Sequence, residues 1–364
     1  MQKTVVGTER TALSPDDLED PSEWRRRESV ARLEALRERM AGRQIEAAYL
    51  DSRRTFAWLT VGGLNHVAAS TQTGEAGLLV TRDRAVVIAP TIEAQRLREE
   101  EVLGLDLEVV AVDWWRPAGA AKEAARLCGR EPAPEPLLDA DLVELRSRLS
   151  SLDHHRMTQV GEAATSAVCD ALDRVVAGMT EANLARELMC RLDGIRAPVV
   201  LVAADDRIAR YRHPLPTDTP IRHRVMLVLV AERWGLHAAV TRFRELDPLG
   251  SELEKRFAAV AHVQASMYEA TRAGATLGDV FEAARAAYAR AGYADEWTRH
   301  HQGGTIGYQG RERIAIPDDP TMIDAGMAFA WNPSITGVKV EDTFILGTDG
   351  QRRIVTQQST GTGG

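Results

Sequence analysis

The chain is poor in lysine and cysteine and has no long apolar run. Lysine occurs at only four of the 364 positions, and arginine supplies nearly all other basic side chains. The three cysteines stand far apart, which excludes a disulfide framework and a zinc motif and predicts reduced thiols. No stretch of 18 apolar residues is present, so no membrane-spanning helix is predicted. The first residues lack the apolar core of a signal peptide, which favours a cytoplasmic location.

Several motifs of enzyme chemistry are also missing. We find no HExxH helix, no clustered Cys/His set, no phosphate-binding P-loop, no GxGxxG after a strand and no GxSxG elbow. On this ground we expect no metal site and no cofactor. The net charge is −8 with both signs interspersed and no basic stripe, which argues against nucleic acid as a partner.

Length and apolar periodicity indicate two domains. A chain of 364 residues with 44% hydrophobic content exceeds one ordinary core. Residues 22–150 alternate helical and strand patterns, which predicts a small α/β domain, with a linker or surface loop at 129–136. Residues 151–355 carry two helices, a block of strands, two more helices and further strands, which predicts a larger α+β domain. The ends, 1–21 and 356–364, are polar and unpatterned, and we expect them to be flexible.

A polar, glycine-rich loop at residues 300–312 is the strongest candidate site. It concentrates imidazole, amide, phenol, guanidinium and carboxylate groups where apolar strands end. An arginine there offers a planar fork that suits a carboxylate. The alternative is a tight hairpin whose side chains are solvated. Its candidate residues are His300, His301, Gln302, Tyr308, Arg311 and Glu312.

Four polar residues outside this loop are further candidates. His213 precedes a proline in a loop, which is also common for a histidine without a role. His237 alternates into a strand and could equally be a hydrogen-bonded core residue. Asn332 and Glu341 interrupt apolar strands, where a polar side chain is costly unless it is paired, binds a ligand or takes part in catalysis.

These landmarks, in this order from about residue 22 to 355, resemble the creatinase/prolidase superfamily. The C-terminal order is His213, the Thr241-Arg242 dipeptide, the loop at 300–312 and the Glu341-Asp342 strand. The segment TFAWLTVGG at 55–63 resembles the strand and turn before a glycine-rich bend in the N-terminal half. The resemblance implies a C-terminal pita-bread domain preceded by a smaller creatinase-type α/β domain.

Peptidases of this superfamily hold two divalent ions, and the resemblance places their five ligands at Val228, Ala239, Gly304, Asn332 and Glu341. Four of these five are poor ligands, since such ions need anionic oxygens or imidazole. The resemblance therefore implies the metal-free, creatinase-like branch. We expect an enzyme that cleaves a C–N bond of a small amino-acid-like carboxylate. Three alternatives stay open: a lyase, dehydratase or isomerase without metal, a non-catalytic binding protein, and a metallo-aminopeptidase.

The resemblance to creatinase also implies roles for individual residues. The tripeptide Gly310-Arg311-Glu312 matches one whose arginine binds the substrate carboxylate. His213 matches the proposed acid/base, with His300, His301 and Glu341 orienting substrate or water. His237 stands where creatinase has a substrate-contacting tyrosine, and Asn332 stands where creatinase has a glutamate.

Relatives of this kind form homodimers in which one N-terminal domain covers the partner's active site. Two segments of this chain are candidates for that contact. The first is Asn65-His66, which could instead cap a turn. The second is the pair Trp114-Trp115, which could instead pack between domains or lie on the surface.

Overall fold

The computed structural model describes residues 21–116 and 118–357, so most of the predicted flexible ends lie outside the described residues. The helices are α1 (Pro21–Gly42), α2 (Arg53–Leu59), α3 (Ala94–Arg96), α4 (Gly119–Cys128), α5 (Asp139–Ser147), α6 (Ser151–Leu172), α7 (Glu181–Met189), α8 (Asp206–Arg210), α9 (Ser251–Ala270) and α10 (Leu277–Arg290). The strands are β1 (Ala47–Ser52), β2 (Thr73–Thr81), β3 (Ala85–Pro90), β4 (Glu108–Val112), β5 (Ala133–Pro134), β6 (Arg196–Ala204), β7 (Arg224–Arg233), β8 (Leu236–Glu245), β9 (Gly303–Ile306), β10 (Arg313–Ile314), β11 (Ala328–Trp331), β12 (Ser334–Ile335), β13 (Val338–Lys339), β14 (Asp342–Leu346) and β15 (Arg352–Ile354). None of these helices combines the length and apolar character needed to cross a membrane.

The N-terminal half is a five-stranded mixed sheet in the order β4-β3-β2-β1-β5. Its edge strand β5 pairs in parallel with β1, so the predicted linker or surface loop at 129–136 contributes a short strand to the sheet at Ala133–Pro134. The predicted strand within 55–63 is also wrong, because residues 53–59 form helix α2. Ser52 caps this helix by accepting from the Thr55 amide, and a short apolar run cannot by itself distinguish a buried helix from a strand.

The C-terminal half carries two larger sheets that meet at one joint, besides the two-stranded sheet of β12 and β13. The first has the order β6-β7-β8 and the second β10-β9-β11-β14-β15. At the joint, Thr241 on β8 forms an isolated bridge with Glu341, just before β14. The Thr343 hydroxyl adds a bond to the Ala239 carbonyl at 3.0 Å. This joint fixes Glu341 in the interior between the sheets.

The two halves share a core. One hydrophobic cluster joins Leu36 and Phe56 from the first half with Leu236 and Ile345 from the second. A buried polar contact reinforces it, because Arg32 on α1 lies 2.7 Å from the Asp153 carboxylate on α6. The architecture is the predicted α+β arrangement with a smaller α/β half in front, and the division near residue 150 stays a prediction.

Candidate active site

A cavity of about 460 Å³ opens between the two halves of the chain. Helix α2 and the loop after it form one side, and strands β6, β7 and β8 contribute another. Its apolar lining includes Val228, Val230 and Leu201. Its charged, imidazole and amide lining includes Arg53, Arg54, His66, His213, Glu232, His237, His301, Arg311, Asn332, Lys339 and Glu341.

A buried triad of charges lies in the wall of this cavity. The Lys339 ammonium is 2.8 Å from one Glu341 oxygen, and the Arg311 guanidinium is 2.7 Å from the other. The Thr241 hydroxyl donates to the same carboxylate at 2.7 Å. Side chains two residues apart in an extended segment point to the same side, which brings Lys339 and Glu341 together. The triad therefore holds two cations against one anion.

The triad keeps Glu341 ionised. Burial by itself would raise the pKa of Glu341, but the charges of Lys339 and Arg311 outweigh it and hold that pKa well below its ordinary value. Burial lowers the pKa of Lys339, and the facing carboxylate opposes this shift. Neither Lys339 nor Glu341 is more than 6% exposed, so their charges interact with little solvent between them.

Three histidines converge beside the triad. His300 and His301 follow a 3-10 turn at Glu296–Arg299, and His213 comes from the loop after α8. The Nε2 atoms of His300 and His213 are 3.2 Å apart. The ring centroid of His301 lies 4.6 Å from that of His300 and 5.7 Å from that of His213. The sequence prediction that these three residues share one site is consistent with this arrangement.

All three imidazoles are neutral at pH 7. Burial, assisted by the Lys339 charge, lowers the pKa of His300 to about 2. Burial and the Arg311 charge lower the pKa of His301 to about 4. The pKa of His213 is also lowered, by burial and then by Lys339. The rings are therefore available as proton acceptors or as ligands.

Buried polar atoms without a hydrogen-bond partner mark the cavity as a binding site. They include the Arg311 Nε, the Asn332 Oδ1 and the His66 Nδ1. Buried polar groups in proteins are nearly always satisfied, so these atoms are available to ordered water or to a bound molecule. Arg311 offers a charged donor and Asn332 an acceptor. A ligand that carries both a carboxylate and an N–H group would satisfy both.

Two predicted substrate-binding residues in the 300–312 loop do not face the cavity. The Gln302 side chain is fully buried, where its amide donates to the His300 carbonyl at 2.6 Å and accepts from the Tyr288 hydroxyl at 2.8 Å. Glu312 pairs with Arg146, with both side chains 0% exposed. Their chemistry is used inside the protein, so these two predictions are wrong.

Tyr308 and His237 border the cavity in a different way from that predicted. The Tyr308 ring lines it, but its hydroxyl donates to Asp153 at 2.6 Å and accepts from Arg32 at 2.7 Å. The His237 ring also lines it, with Nδ1 3.2 Å from the Gly307 carbonyl. Tyr308 can therefore offer only its ring to a ligand.

The segments predicted to reach a partner subunit lie in different surroundings. The Asn65 side chain is buried and donates to the Ala76 carbonyl at 2.7 Å, which ties its loop to strand β2. His66 lines the cavity of its own chain. Trp114 and Trp115 are both 61% exposed and meet edge to face.

Sequence reasoning missed Lys339. It is one of the few lysines in the chain and stands between two valines in a strand, which is the signal that could have found it. A charge in an apolar run needs a partner, and the partner here is two residues away.

The C-terminal half carries the family signature. The model for metallopeptidase family M24 matches residues 155–348, more than half of the chain. The chain belongs to metallopeptidase family M24. The model for the creatinase/prolidase N-terminal domain matches residues 32–145. The predicted family and the predicted fold class are confirmed.

Two relatives of this chain carry the names of dipeptidases. The Xaa-Pro dipeptidase of Pyrococcus horikoshii is 20% identical over 76% of this chain and 85% of its own length. The probable dipeptidase PepE of Mycobacterium bovis is 25% identical over 72% of this chain and 78% of its own length. The crystal structure of the Pyrococcus horikoshii prolidase has a TM-score of 0.73 at 19% identity and covers 90% of this chain and 99% of that one.

The prediction of a metal-independent, creatinase-like enzyme is wrong. The relatives bear the names of dipeptidases in a metallopeptidase family, which agrees better with the metallo-aminopeptidase alternative. The tripeptide Gly310-Arg311-Glu312 carried too much weight in that prediction. Its glutamate is committed to Arg146 and its arginine already pairs with Glu341, so the tripeptide does not by itself indicate creatinase chemistry.

The five positions that the resemblance assigns to a pair of divalent ions do not fit such a pair. Val228 and Ala239 are apolar, and Asn332 offers an uncharged amide. At Gly304 a Cβ would overlap the Arg313 carbonyl oxygen of the neighbouring strand, so a ligating side chain has no room there. Only Glu341 is anionic, and Lys339, Arg311 and Thr241 already surround it.

Proposed function

We propose that this protein is a hydrolase of short peptides and that it binds a dipeptide-sized substrate in the cavity between its two halves. The family and the names of the relatives support peptide hydrolysis. The observation that carries the proposal is the unpartnered pair of Arg311 Nε and Asn332 Oδ1 in the lining of that cavity. A dipeptide has the carboxylate and the N–H group that these two atoms lack.

The charges of the cavity favour the same substrate class. Arg311 and Lys339 leave one positive charge in excess over Glu341, which attracts the carboxylate of a peptide. A buried ammonium is also suited to stabilise a carbonyl oxygen that becomes negatively charged when water adds to the amide. Lys339 would serve in that way, while Arg311 orients the carboxylate and Asn332 accepts from a substrate N–H.

The test is a panel of dipeptides, including Xaa-Pro sequences, with release of amino acids followed by mass spectrometry. The purified full chain is assayed as isolated, after chelation, and after loading with zinc, cobalt, nickel or manganese. We expect Arg311→Ala to weaken substrate binding by roughly 10- to 100-fold, because a hydrogen bond to a charged group contributes about 1.5–3 kcal/mol. The proposal fails if no peptide is cleaved under any metal condition.

Arg313→Ala is the matched control for Arg311→Ala. Arg313 lies two residues further along the chain, its side chain is 43% exposed, and it contacts Asp319 away from the cavity. We expect it to bind and cleave peptides within about twofold of the parent, as surface substitutions usually have small effects. Equal losses in both variants would refute the role given to Arg311.

We propose in addition that the protein is a homodimer and that it works in the cytoplasm. The exposed Trp114-Trp115 pair supports the dimer, because two adjacent indoles in contact with solvent are typical of a protein interface. Light scattering of the parent and of Trp114→Ser tests this. A parent that is monomeric at micromolar concentration would refute the dimer.

A further inference from the structure

We propose that His213, His300 and His301 form a binding site for one late first-row divalent metal ion, such as Zn²⁺ or Co²⁺. The three residues each offer one ring nitrogen, and these nitrogens all lie within 4.8 Å of one another. None of the three stands at the five positions where the resemblance places the two-metal ligands. The proposed ligands are therefore a different set of residues from those assigned to the family's pair of ions.

The spacing of one pair of nitrogens, from His213 and His300, suits a tetrahedral ion, and the His301 nitrogen lies within 4.8 Å of both. Zinc binds imidazole nitrogen at about 2.0–2.1 Å, so two ligands in a tetrahedron lie roughly 3.3 Å apart. The Nε2 atoms of His213 and His300 are 3.2 Å apart. Two neutral imidazoles at this distance can share only one proton, whereas a metal ion engages both lone pairs.

The surroundings supply what a histidine site needs beyond its ligands. The Ser334 hydroxyl is 3.2 Å from the Nδ1 of His300, where it can accept the N–H that orients the ring for binding through Nε2. Imidazole nitrogen is a preferred ligand of zinc, copper and nickel.

The cluster is reached from two sides. His213 and His301 line the peptide cavity, and all three histidines line a second, more open cleft together with Trp297 and Ile316. An ion can enter from the open cleft, and the fourth coordination position can face the peptide cavity. Three protein ligands with an open fourth position is the arrangement of catalytic zinc sites. Use of the ion in peptide cleavage rests on the proposed function, whereas its binding does not.

Two features limit the affinity. The Gly303 amide donates to the Nδ1 of His301 at 3.2 Å, and binding through Nε2 requires His301 to give up that bond, since a neutral ring carries one proton. Lys339 and Arg311 add positive charge, with only Glu341 to offset it. We therefore expect a moderate affinity that rises when an anion, such as a peptide carboxylate, occupies the cavity.

The test is titration of the chelator-treated full chain with Co²⁺, followed by visible absorption and calorimetry, with Zn²⁺ as competitor. We expect one ion per chain and a ligand-field spectrum typical of four-coordinate nitrogen ligation. His213→Ala and His300→Gln should each weaken binding at least ~100-fold, since even the loss of a partner outside the ligand shell costs about 10- to 100-fold. His262→Ala, at an exposed position on α9, should bind like the parent.

Two further variants and the peptide assay separate the possible failures. If Glu341→Gln or Asn332→Ala abolishes Co²⁺ binding while His213→Ala retains it, the ion lies at the family positions and the proposal is overturned. Binding of less than ~0.2 ion per folded chain overturns it as well. If the histidines bind one ion but no peptide is cleaved, the metal site stands and the proposed function fails. Circular dichroism of each variant confirms that it is folded.

Discussion

The buried triad of Lys339, Arg311 and Glu341 gives the sharpest prediction for stability. In Glu341→Gln, two buried cations lose their only anion, and breaking one buried ion pair already costs about 3–5 kcal/mol. We expect a loss near the upper end of that range. In Lys339→Met, Glu341 keeps Arg311 and the Thr241 hydroxyl, so the remaining charges are balanced. We expect this loss to be about 1–2 kcal/mol, because one charged hydrogen bond is exchanged for an apolar side chain.

The assay is urea denaturation of the chelator-treated protein at pH 7, followed by circular dichroism, so that bound metal does not contribute to the free energy of unfolding. The double variant Lys339→Met/Glu341→Gln should be more stable than Glu341→Gln alone, since it leaves one unpaired cation rather than two. Arg353→Met is the control, because its pair with Asp349 is exposed on both sides and should contribute at most ~1 kcal/mol. A loss below ~1 kcal/mol in Glu341→Gln, or a larger loss in Lys339→Met, would refute the charge argument.

Three more predictions concern other positions. Glu312→Gln leaves the Arg146 charge buried and unpaired, so we expect the free energy of unfolding, measured in urea, to fall by about 3–5 kcal/mol while peptide affinity stays unchanged. A variant with full stability and weaker peptide affinity would show instead that Glu312 belongs to the binding site. Burial and the nearby arginines lower the pKa of His66 from 6.5 to about 4. Between pH 6.5 and about 4 the unfolded chain is therefore protonated at His66 while the folded chain is not, so stability falls as the pH falls through this range. His66→Asn should reduce the dependence of the unfolding free energy on pH in this window by up to ~1.4 kcal/mol per pH unit. An unchanged pH dependence would contradict the lowered pKa of His66. Gly303 has a φ of 98°, and a Cβ there would overlap the Ala330 carbonyl of the facing strand, so Gly303→Ala should destabilise the protein and weaken cobalt binding. At Gly310 a Cβ would have its nearest contact at 3.4 Å, so Gly310→Ala should be tolerated. Equal shifts of the melting temperature in the two variants would refute this reasoning.

Apolar periodicity predicted most of the fold because the buried strands and the long helices have strong patterns. Strand β3 is a continuous apolar run, AVVIAP, and the helix that begins at Ser151 carries a capping box with Asp153. The error at α2 has a physical cause. All five residues 55–59 are buried, so the segment shows no alternation that would separate a helix from a strand.

The candidate site was predicted in part, and the misses follow from side-chain direction. Residues that are close in sequence need not point the same way. His301 faces the cavity while Gln302 points into the core against Tyr288. Lys339 was missed because its partner Glu341 explains it only once both are known to lie on one side of an extended segment. The convergence of His213 with His300 is a tertiary contact between residues far apart in the chain, and it followed from the resemblance rather than from a local pattern.

The contact of Arg32 with Asp153 and Tyr308 has a consequence for how the protein can be divided. Helix α1 supplies a guanidinium that a later helix and the polar loop both require, and the same helix covers apolar side chains of the second half. A fragment that begins at residue 151 would expose the ionised Asp153 together with a hydrophobic surface. Such a fragment is expected to aggregate when expressed alone, so gene truncations that aim at a minimal catalytic unit should retain the first helix.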